Sequence, residues 1–395
     1  MKTLTQIFAV TAMSLGSLPQ RLGTSLVIVA GTAGVVAVLV SILALASGLQ
    51  QTLHATGRAE RTIVLYRGAQ SESGSSLPRA MAQAVLDLPG IARSPDGTPL
   101  ATADVFSSLW LPRIGAPTPG SVSLRGIGPA SVAVRPEFEL VEGRLFEPGL
   151  REVIVGIGLR DRFAGLEPGA TIVDGDNVWT VVGRFSSGGS AHQSEIWSDA
   201  ESVLAAFNRN SFNSVTAWTG DAAGFERLRA AAAADPSLTV DVHLESEYYA
   251  AQSSEFGVFL AVVARVIAAI MAVGAVFGAL NSMYTAVSAR IGEIATLRAL
   301  GFGPACILFS VFAEALLLAL CGAVVGAALA WLAFNGNTVS TVSGNGIAQV
   351  AFDLRIGMDA LTTGITWSLV LGMIGGLFPA LRAARLPVVA ALRSA

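Results

Sequence analysis

Four long apolar runs decide what this chain can fold into. They cover residues 22–53, 266–289, 299–334 and 361–381, and the only charged residue in any of them is Glu314. A bilayer core about 30 Å thick is crossed by roughly 20 apolar residues in a helix. Each run is long enough, so the sequence predicts four transmembrane helices.

The composition supports the same class of protein. Charged residues make up 13% of the chain and hydrophobic residues 52%, whereas a soluble domain is about one quarter charged. The 42 glycines suit helices that pack closely in lipid. Three G-x-x-x-G pairs support a tight bundle or a dimer: Gly274/Gly278, Gly322/Gly326 and Gly372/Gly376.

The first run has two interpretations. The letters "ALAS" at 44–47 resemble a signal-peptidase site. The apolar stretch before them is much longer than the 7–15 residues of a cleaved signal peptide. A retained helix is therefore favoured over a removed leader.

The distribution of basic residues predicts the orientation, because Lys and Arg near short loops stay on the cytoplasmic side. One side would carry seven basic residues against Glu293: Lys2, Arg21, Arg290, Arg298, Arg382, Arg385 and Arg393. Both termini are then cytoplasmic, and the segments 54–255 and 335–360 lie outside.

The long segment 54–255 reads as a folded domain. "RTIVLYRG" (61–68) predicts a strand, residues 78–90 and 224–236 predict helices, and a β-rich insertion is expected near 120–215. This mixture indicates α+β organisation. The predicted fold is an α-helical membrane protein with four transmembrane helices plus an α+β extracytoplasmic domain inserted between helices 1 and 2.

Residues 247–284 contain no proline, from the end of this domain into the second apolar run. We expect one continuous helix here. Such a rod could carry motion between the domain and the membrane, or it could only anchor the domain, and the sequence leaves both open.

The titratable and metal-ligating residues show no pattern typical of an enzyme, so we expect a non-catalytic protein. There is no P-loop motif, His54, His192 and His243 are dispersed, and no metal-ligand spacing occurs. We expect no cofactor, no metal and no nucleic-acid partner. "GRFSSGGSAHQSE" (183–195) is interpreted as a Gly/Ser-rich surface loop rather than a catalytic triad, since triads are assembled in space.

Glu314 lies inside the third apolar run, where a carboxylate is costly and faces a bundle interior or cavity. One interpretation is a proton or substrate relay. The other, which we favour, is a polar contact between packed helices.

The bridge "RIGEIATLRALG" (290–301) joins the second and third runs. Its apolar residues mostly follow helical spacing, and they are Ile291, Ile294, Ala295, Leu297 and Leu300. The charges of Arg290, Glu293 and Arg298 fall largely elsewhere on the helix and are expected to point outward at the cytoplasmic surface, available to something below. Gly301 is expected to end the helix. A surface for a partner and a plain interfacial hairpin remain equally open from the physics alone.

At this point a resemblance appears. "ARIGEIATLRALGFGPACILFSVFAEALLLALCGAVVGAALA", "GLFPALRAARLPVVAALRS" and "VEGRLFEPGLREVIVG" followed by "VWTVVGRF" resemble the FtsX/MacB-type ABC transporter permease family, which includes lipoprotein-releasing and macrolide-export permeases. Leu386 stands where that family usually has Asp.

The resemblance implies a permease without a fused ATPase, working with a separate ABC ATPase subunit that binds the ATP. It implies a second permease chain, with a homodimer expected and a heterodimer as the other arrangement. A periplasmic adaptor protein and membrane lipids are the further expected partners. The residues that would contact the ATPase are Arg290, Glu293, Ile294, Leu297, Arg298 and Gly301.

The implied layout places the protein in the bacterial inner membrane. Its segments are an N-terminal stretch 1–21, helix 1 at 22–53, the domain 54–255, helix 2 with its stalk at 256–289, the coupling helix 290–301, helix 3 at 302–334, a loop 335–360, helix 4 at 361–381 and a tail 382–395. The function expected is export or extraction of a substrate outside the membrane. The alternative is an FtsX-like regulator that transmits force to a cell-wall hydrolase.

Overall fold

The computed structural model describes residues 2–16, 22–340 and 351–385. Arg21, Leu386 and Arg393, which entered the sequence argument, lie outside these ranges. The chain divides into two compact units. The helical unit comprises Met1–Ser47, Gly257–Asn337 and Leu354–Ala395, and the α+β unit comprises Gly48–Phe256 and Thr338–Asp353.

The helices, in chain order, are α1 (Lys2–Gly16), α2 (Leu22–Thr56), α3 (Arg79–Leu86), α4 (Ser131–Val134), α5 (Ala200–Ala206), α6 (Ala222–Ala234), α7 (Glu245–Ala289), α8 (Ile291–Ala299), α9 (Pro304–Phe334) and α10 (Met358–Ala384). Within the described residues, α2, α7, α9 and α10 are long and apolar enough to cross a membrane. The single long helix expected over 247–284 lies within α7. The chain is therefore a multi-pass membrane protein.

The strands are β1 (Arg61–Tyr66), β2 (Leu77–Pro78), β3 (Ala101–Leu111), β4 (Gly120–Ile127), β5 (Phe138–Gly143), β6 (Glu152–Gly156), β7 (Thr171–Asp174), β8 (Asn177–Ser187), β9 (Glu195–Asp199), β10 (Ser211–Phe212), β11 (Ser214–Trp218), β12 (Val240–Leu244), β13 (Thr338–Ser340) and β14 (Ala351–Asp353). Ten of them form one sheet in the order β12-β1-β11-β3-β4-β9-β6-β8-β5, with β7 paired to β8.

The α+β unit is built on a split βαβ pattern. Strands β1 and β3 flank α3 in the sequence, β11 and β12 flank α6, and the sheet order β12-β1-β11-β3 is antiparallel throughout. This is the β-α-β-β-α-β arrangement of two interlocked units. Strands β4 to β9 are inserted between β3 and β11 and extend the same sheet. The expected β-rich insertion therefore exists, but it ends with β9. Strand β11 lies between β1 and β3, in the β-α-β-β-α-β part of the sheet.

Glycines set how closely the helices of the helical unit approach. A Cβ on Gly322 or Gly326 of α9 would overlap Thr32 or the carbonyl oxygen of Ala33 on α2. A Cβ on Gly372 would lie 2.6 Å from the Ala319 side chain. Two of the three G-x-x-x-G pairs therefore serve packing inside the chain.

The third pair differs. Within the described residues, a Cβ added to Gly274 or Gly278 of α7 would meet nothing within 4 Å.

Helices α9 and α10 are also joined by a hydrogen bond: the Ser368 hydroxyl donates to the Ala319 carbonyl at 2.6 Å.

Candidate functional site

Helix α8 occupies the bridge that the sequence singled out. Its inner face carries Ile294 and Ala295, which are buried, and Ile294 belongs to an apolar cluster with Val287, Ile307 and Val311. Leu297 is half-buried against the same cluster. The helix is therefore seated on the ends of α7 and α9 by its apolar residues.

Arg290 does not present its charge outward, and the expectation that it does is wrong. Its side chain is buried, with Nη1 3.0 Å from Oε2 of Glu314 and Nη2 3.5 Å from Oε1. The physical reason is that a carboxylate inside an apolar helix is costly unless a cation and hydrogen-bond donors neutralise it. Glu314 thus makes a polar contact between helices, and its partner is the first residue of the bridge.

Arg298 is also turned toward the protein. Its Nη1 donates to the carbonyl oxygen of Ala384 at 2.7 Å, at the C-terminal end of α10. The last carbonyls of a helix have no intrahelical donor and carry partial negative charge. An arginine is well suited to satisfy them, and here it joins α8 to α10.

Gly301 ends the helix with a left-handed residue. Its φ is +93°, its N–H donates to the Arg298 carbonyl at 3.1 Å, and the Phe302 N–H donates to the Leu297 carbonyl at 3.1 Å. These two bonds form a Schellman motif, in which glycine avoids the clash that a Cβ would cause. The sequence expectation for the helix end agrees with this geometry.

Few side chains of α8 are left exposed on its outer face. Glu293, Thr296 and Leu300 are exposed, and Leu300 is 72% exposed. They follow i, i+3 and i+7 spacing, so they lie on one side of the helix. We call them the α8 outer face. Of the predicted contact residues, Glu293 alone belongs to it, while Arg290 and Arg298 hold the helix in place.

A second set of buried charges was missed in the sequence and lies in the α+β unit. Arg61 is fully buried and contacts four oxygens: Glu245 Oε2 at 2.6 Å from Nε, Glu137 Oε1 at 2.5 Å and the Val134 carbonyl at 3.5 Å from Nη1, and the Thr56 carbonyl at 2.8 Å from Nη2. We call this set the Arg61 clamp. Although burial would raise the pKa of the Glu137 carboxyl, Arg61 holds it below its usual value.

The Arg61 clamp joins two helix ends, because Thr56 is the last residue of α2 and Glu245 is the first of α7. The backbone between them is also close: a Cβ on Gly57 would lie 2.7 Å from the Cα of Ser246. The Arg58 N–H donates to the same Glu245 carboxylate at 3.0 Å. A charged residue opening an otherwise apolar strand was the one signal in the sequence, but it did not identify the partners.

The segment 183–195 is not the surface loop that its Gly/Ser content predicted. Ser187, Ser190 and His192 are buried, and the Ala191 N–H donates to the Thr56 hydroxyl at 2.8 Å. The reason is that the hydroxyls of Ser190 and Ser187 bond each other inside the fold, at 2.9 Å, so their polarity is satisfied without water.

His192 and Glu195 belong to a structural charge network. Nδ1 of His192 lies 3.1 Å from Oε2 of Glu195, which also accepts from Arg125 and from the Trp197 indole, each at 2.8 Å. Arg125 binds the Glu72 carboxylate as well, at 2.8 and 3.0 Å. Burial would raise the pKa values of Glu72 and Glu195, but Arg125 holds both below their usual values.

Comparison with known proteins covers both units. Residues 25–235 match the model of the MacB-like periplasmic core domain, and residues 265–388 match that of the FtsX-like permease C-terminal region. No curated protein matches the chain.

Two solved structures are similar at low identity. The extracellular domain of the noncanonic ABC-type transporter YknZ from Gram-positive bacteria is 16% identical, with a TM-score of 0.36 over 46% of this chain and 99% of that one. The periplasmic region of MacB from Actinobacillus actinomycetemcomitans is 16% identical, with a TM-score of 0.35 over 50% of this chain and 94% of that one. The MacB-like domain model alone spans more than half of the chain, and the chain belongs to the FtsX/MacB-type family of ABC transporter permeases.

Proposed function

We propose that this permease couples ATP hydrolysis by a separate ATPase subunit to movement of its α+β domain, and that the movement exports or extracts a substrate on the outer side of a bacterial inner membrane. Both termini and α8 would face the cytoplasm. The working assembly would contain two permease chains and two ATPase subunits, with a periplasmic adaptor as a further partner.

The observation that carries the proposal is the way α8 is held. The buried ion pair between Arg290 and Glu314 joins its beginning to α9, and the bond from Arg298 to Ala384 joins its end to α10. A helix fixed at both ends to two long helices transmits a push on its outer face to both. A plain hairpin would need neither tie.

The α8 outer face is the surface we assign to the ATPase. Leu300 offers an exposed apolar side chain, and Glu293 offers a charge about two turns away on the same side of the helix. An apolar anchor with a charged neighbour is a common composition for the centre of an interface. In this assignment Arg290, Ile294, Leu297, Arg298 and Gly301 position α8, and Glu293, Thr296 and Leu300 make the contact.

The Arg61 clamp is the corresponding element in the α+β unit. Because it joins the last residue of α2 to the first residue of α7, the two chain ends that enter this unit are held together. We assign it the role of keeping these ends in register when the helices move.

The test is ATPase stimulation in the purified complex of permease and ATPase. Glu293→Arg should abolish stimulation, because it reverses the charge of the contact face while leaving both ties of α8 intact. Asp359→Arg, an equal charge reversal at the exposed N-terminal turn of α10, is the matched control and should keep it. Full stimulation by the Glu293→Arg permease, with normal membrane insertion, would contradict the proposal.

A further inference from the structure

A cavity of about 540 Å³ lies in the helical unit, between α1, α7, α8 and α9. This volume falls in the range of small-molecule pockets, about 300–1,000 Å³. Most of its wall is apolar and is formed by Val10, Met13, Met283, Val287, Ile307 and Val311. The residues of the α8 outer face, Glu293, Thr296 and Leu300, line one side of it, but the mechanism proposed above assigns no occupant to its interior.

Charges of both signs are gathered at one part of the wall. Arg290, Glu293 and Glu314 all line the cavity, together with the Ser310 side chain. Arg290 and Glu314 are buried and contact each other, whereas Glu293 is exposed. Two carboxylates against one guanidinium give this part of the wall a net negative charge.

We propose that the cavity binds a zwitterionic phospholipid with an ammonium head group, of the phosphatidylethanolamine class. The apolar wall suits part of an acyl chain, since burial of methylene groups is favourable. The ammonium group would pair with Glu293 and the phosphate with Arg290. An anionic head group without an ammonium would meet the surplus carboxylate and bind less well.

The helices of this unit also make a lipid the fitting occupant. Met283 and Val287 of α7 and Ile307 and Val311 of α9 belong to helices long and apolar enough to cross a membrane. A bilayer supplies amphiphiles at high local concentration to such a wall. The inference does not rest on an ATPase docking at α8, because lipid binding is measured on the permease alone.

The experiment uses the full chain, reconstituted in equimolar phosphatidylethanolamine and phosphatidylglycerol, extracted in mild detergent and examined by native mass spectrometry. We expect one retained phosphatidylethanolamine per chain. Val311→Trp fills the cavity and should lower retention by at least about tenfold. Val324→Trp is the matched control, because Val324 lies on the same helix and is 58% exposed.

Head-group choice is tested separately. Glu293→Gln removes the exposed carboxylate and should reduce the preference for phosphatidylethanolamine by up to about fivefold, the effect of one solvent-screened ion pair. Ile307→Phe, a smaller cavity-filling change, repeats the occupancy test if the tryptophan variant unfolds, and thermal unfolding of each variant checks this.

Three results would overturn the inference. One is equal lipid retention by the Val311→Trp and Val324→Trp chains. Another is equal retention of the two phospholipids by the unaltered chain. The third is a photo-crosslinker at Met13 that captures the ATPase while no lipid is retained, which would assign the cavity to the partner protein.

Discussion

The two units solve the same problem, a buried arginine, in different ways. In the helical unit Arg290, which precedes α8, forms an ion pair with Glu314 of α9. In the α+β unit Arg61 is surrounded by two carboxylates and two backbone carbonyls, and the Glu245 carboxylate has a second donor in Arg58 N–H. Removing Arg290 takes away the cation with which Glu314 is paired, whereas a carboxylate in a network keeps some of its bonds when one member is removed. The difference predicts which unit is the more sensitive to losing an arginine.

The largest loss of stability is expected at the Arg290–Glu314 pair. Arg290→Ala leaves Glu314 charged and buried, which should cost about 3–5 kcal/mol of stability. Replacing both residues, Arg290→Ala with Glu314→Ala, should recover most of the loss, because no charge then remains buried. Unfolding in detergent measures both. A double variant as unstable as the single one would show that the pair is not the source of the loss.

Removing the arginine of the Arg61 clamp should lower the stability of the protein by less. Arg61→Ala leaves Glu245 bonded to the Arg58 N–H and leaves Glu137 with Arg58 Nε at 3.8 Å. Because both carboxylates keep a partner, we expect a loss of about 2–3 kcal/mol, near the cost of one unsatisfied charged group. Tryptophan fluorescence in a denaturant titration reports it, because Trp179 and Trp197 are buried in this unit. Arg61→Lys keeps the charge but not the planar guanidinium group. Its stability should therefore lie between those of the unaltered chain and Arg61→Ala. A loss larger than that of Arg290→Ala would reverse the comparison.

Acid should weaken the α+β unit next. Glu72, Glu137 and Glu195 have folded-state pKa values below their usual range, through Arg125 and Arg61. Groups of this kind stabilise the fold above the unfolded pKa of about 4.3, and the stabilisation is lost as pH falls through the folded values. We expect unchanged stability from neutral pH to about pH 5 and a loss on the order of 2 kcal/mol below it. Fluorescence-detected unfolding against pH measures this, and stability that rises below pH 4 would contradict it.

The smallest effect is expected at the end of α8. Gly301→Ala places a Cβ in a left-handed conformation with φ of +93°, which costs about 1–2 kcal/mol. Because the strain lies next to Leu300, stimulation of the ATPase should fall more than stability does. Gly303→Ala is the matched control, since Gly303 has an extended backbone and, within the described residues, nothing lies within 4 Å of its Cβ position. Equal effects of the two variants would remove Gly301 from the coupling element.

Local patterns carried the sequence argument where one segment decides its own structure. The apolar runs predicted α2, α7, α9 and α10, because a helix that crosses lipid must be long and uncharged wherever its neighbours lie. Gly301 predicted the end of α8 because the left-handed position is a property of the backbone at that residue.

Contacts between distant residues were outside the reach of these patterns. The composition of 183–195 indicated a surface loop, yet Ser187 and His192 are buried. Helical spacing showed that Arg290 lies apart from the apolar residues of α8. It did not show that Arg290 contacts Glu314 on the neighbouring helix. A sequence pattern predicts that a charged residue is exposed unless its partner is known. The partner becomes known only when the fold brings the two residues together.

The sequence by itself determined the class of protein: four membrane-crossing helices, an inserted α+β domain and a short charged bridge between the second and third helices. Only the tertiary structure decided what the charges do. Arg61 and Glu245 are 184 residues apart in the chain and 2.6 Å apart in space. Hydrophobic burial follows from the pattern of each segment, whereas the pairing of a buried charge depends on which segments the fold brings together.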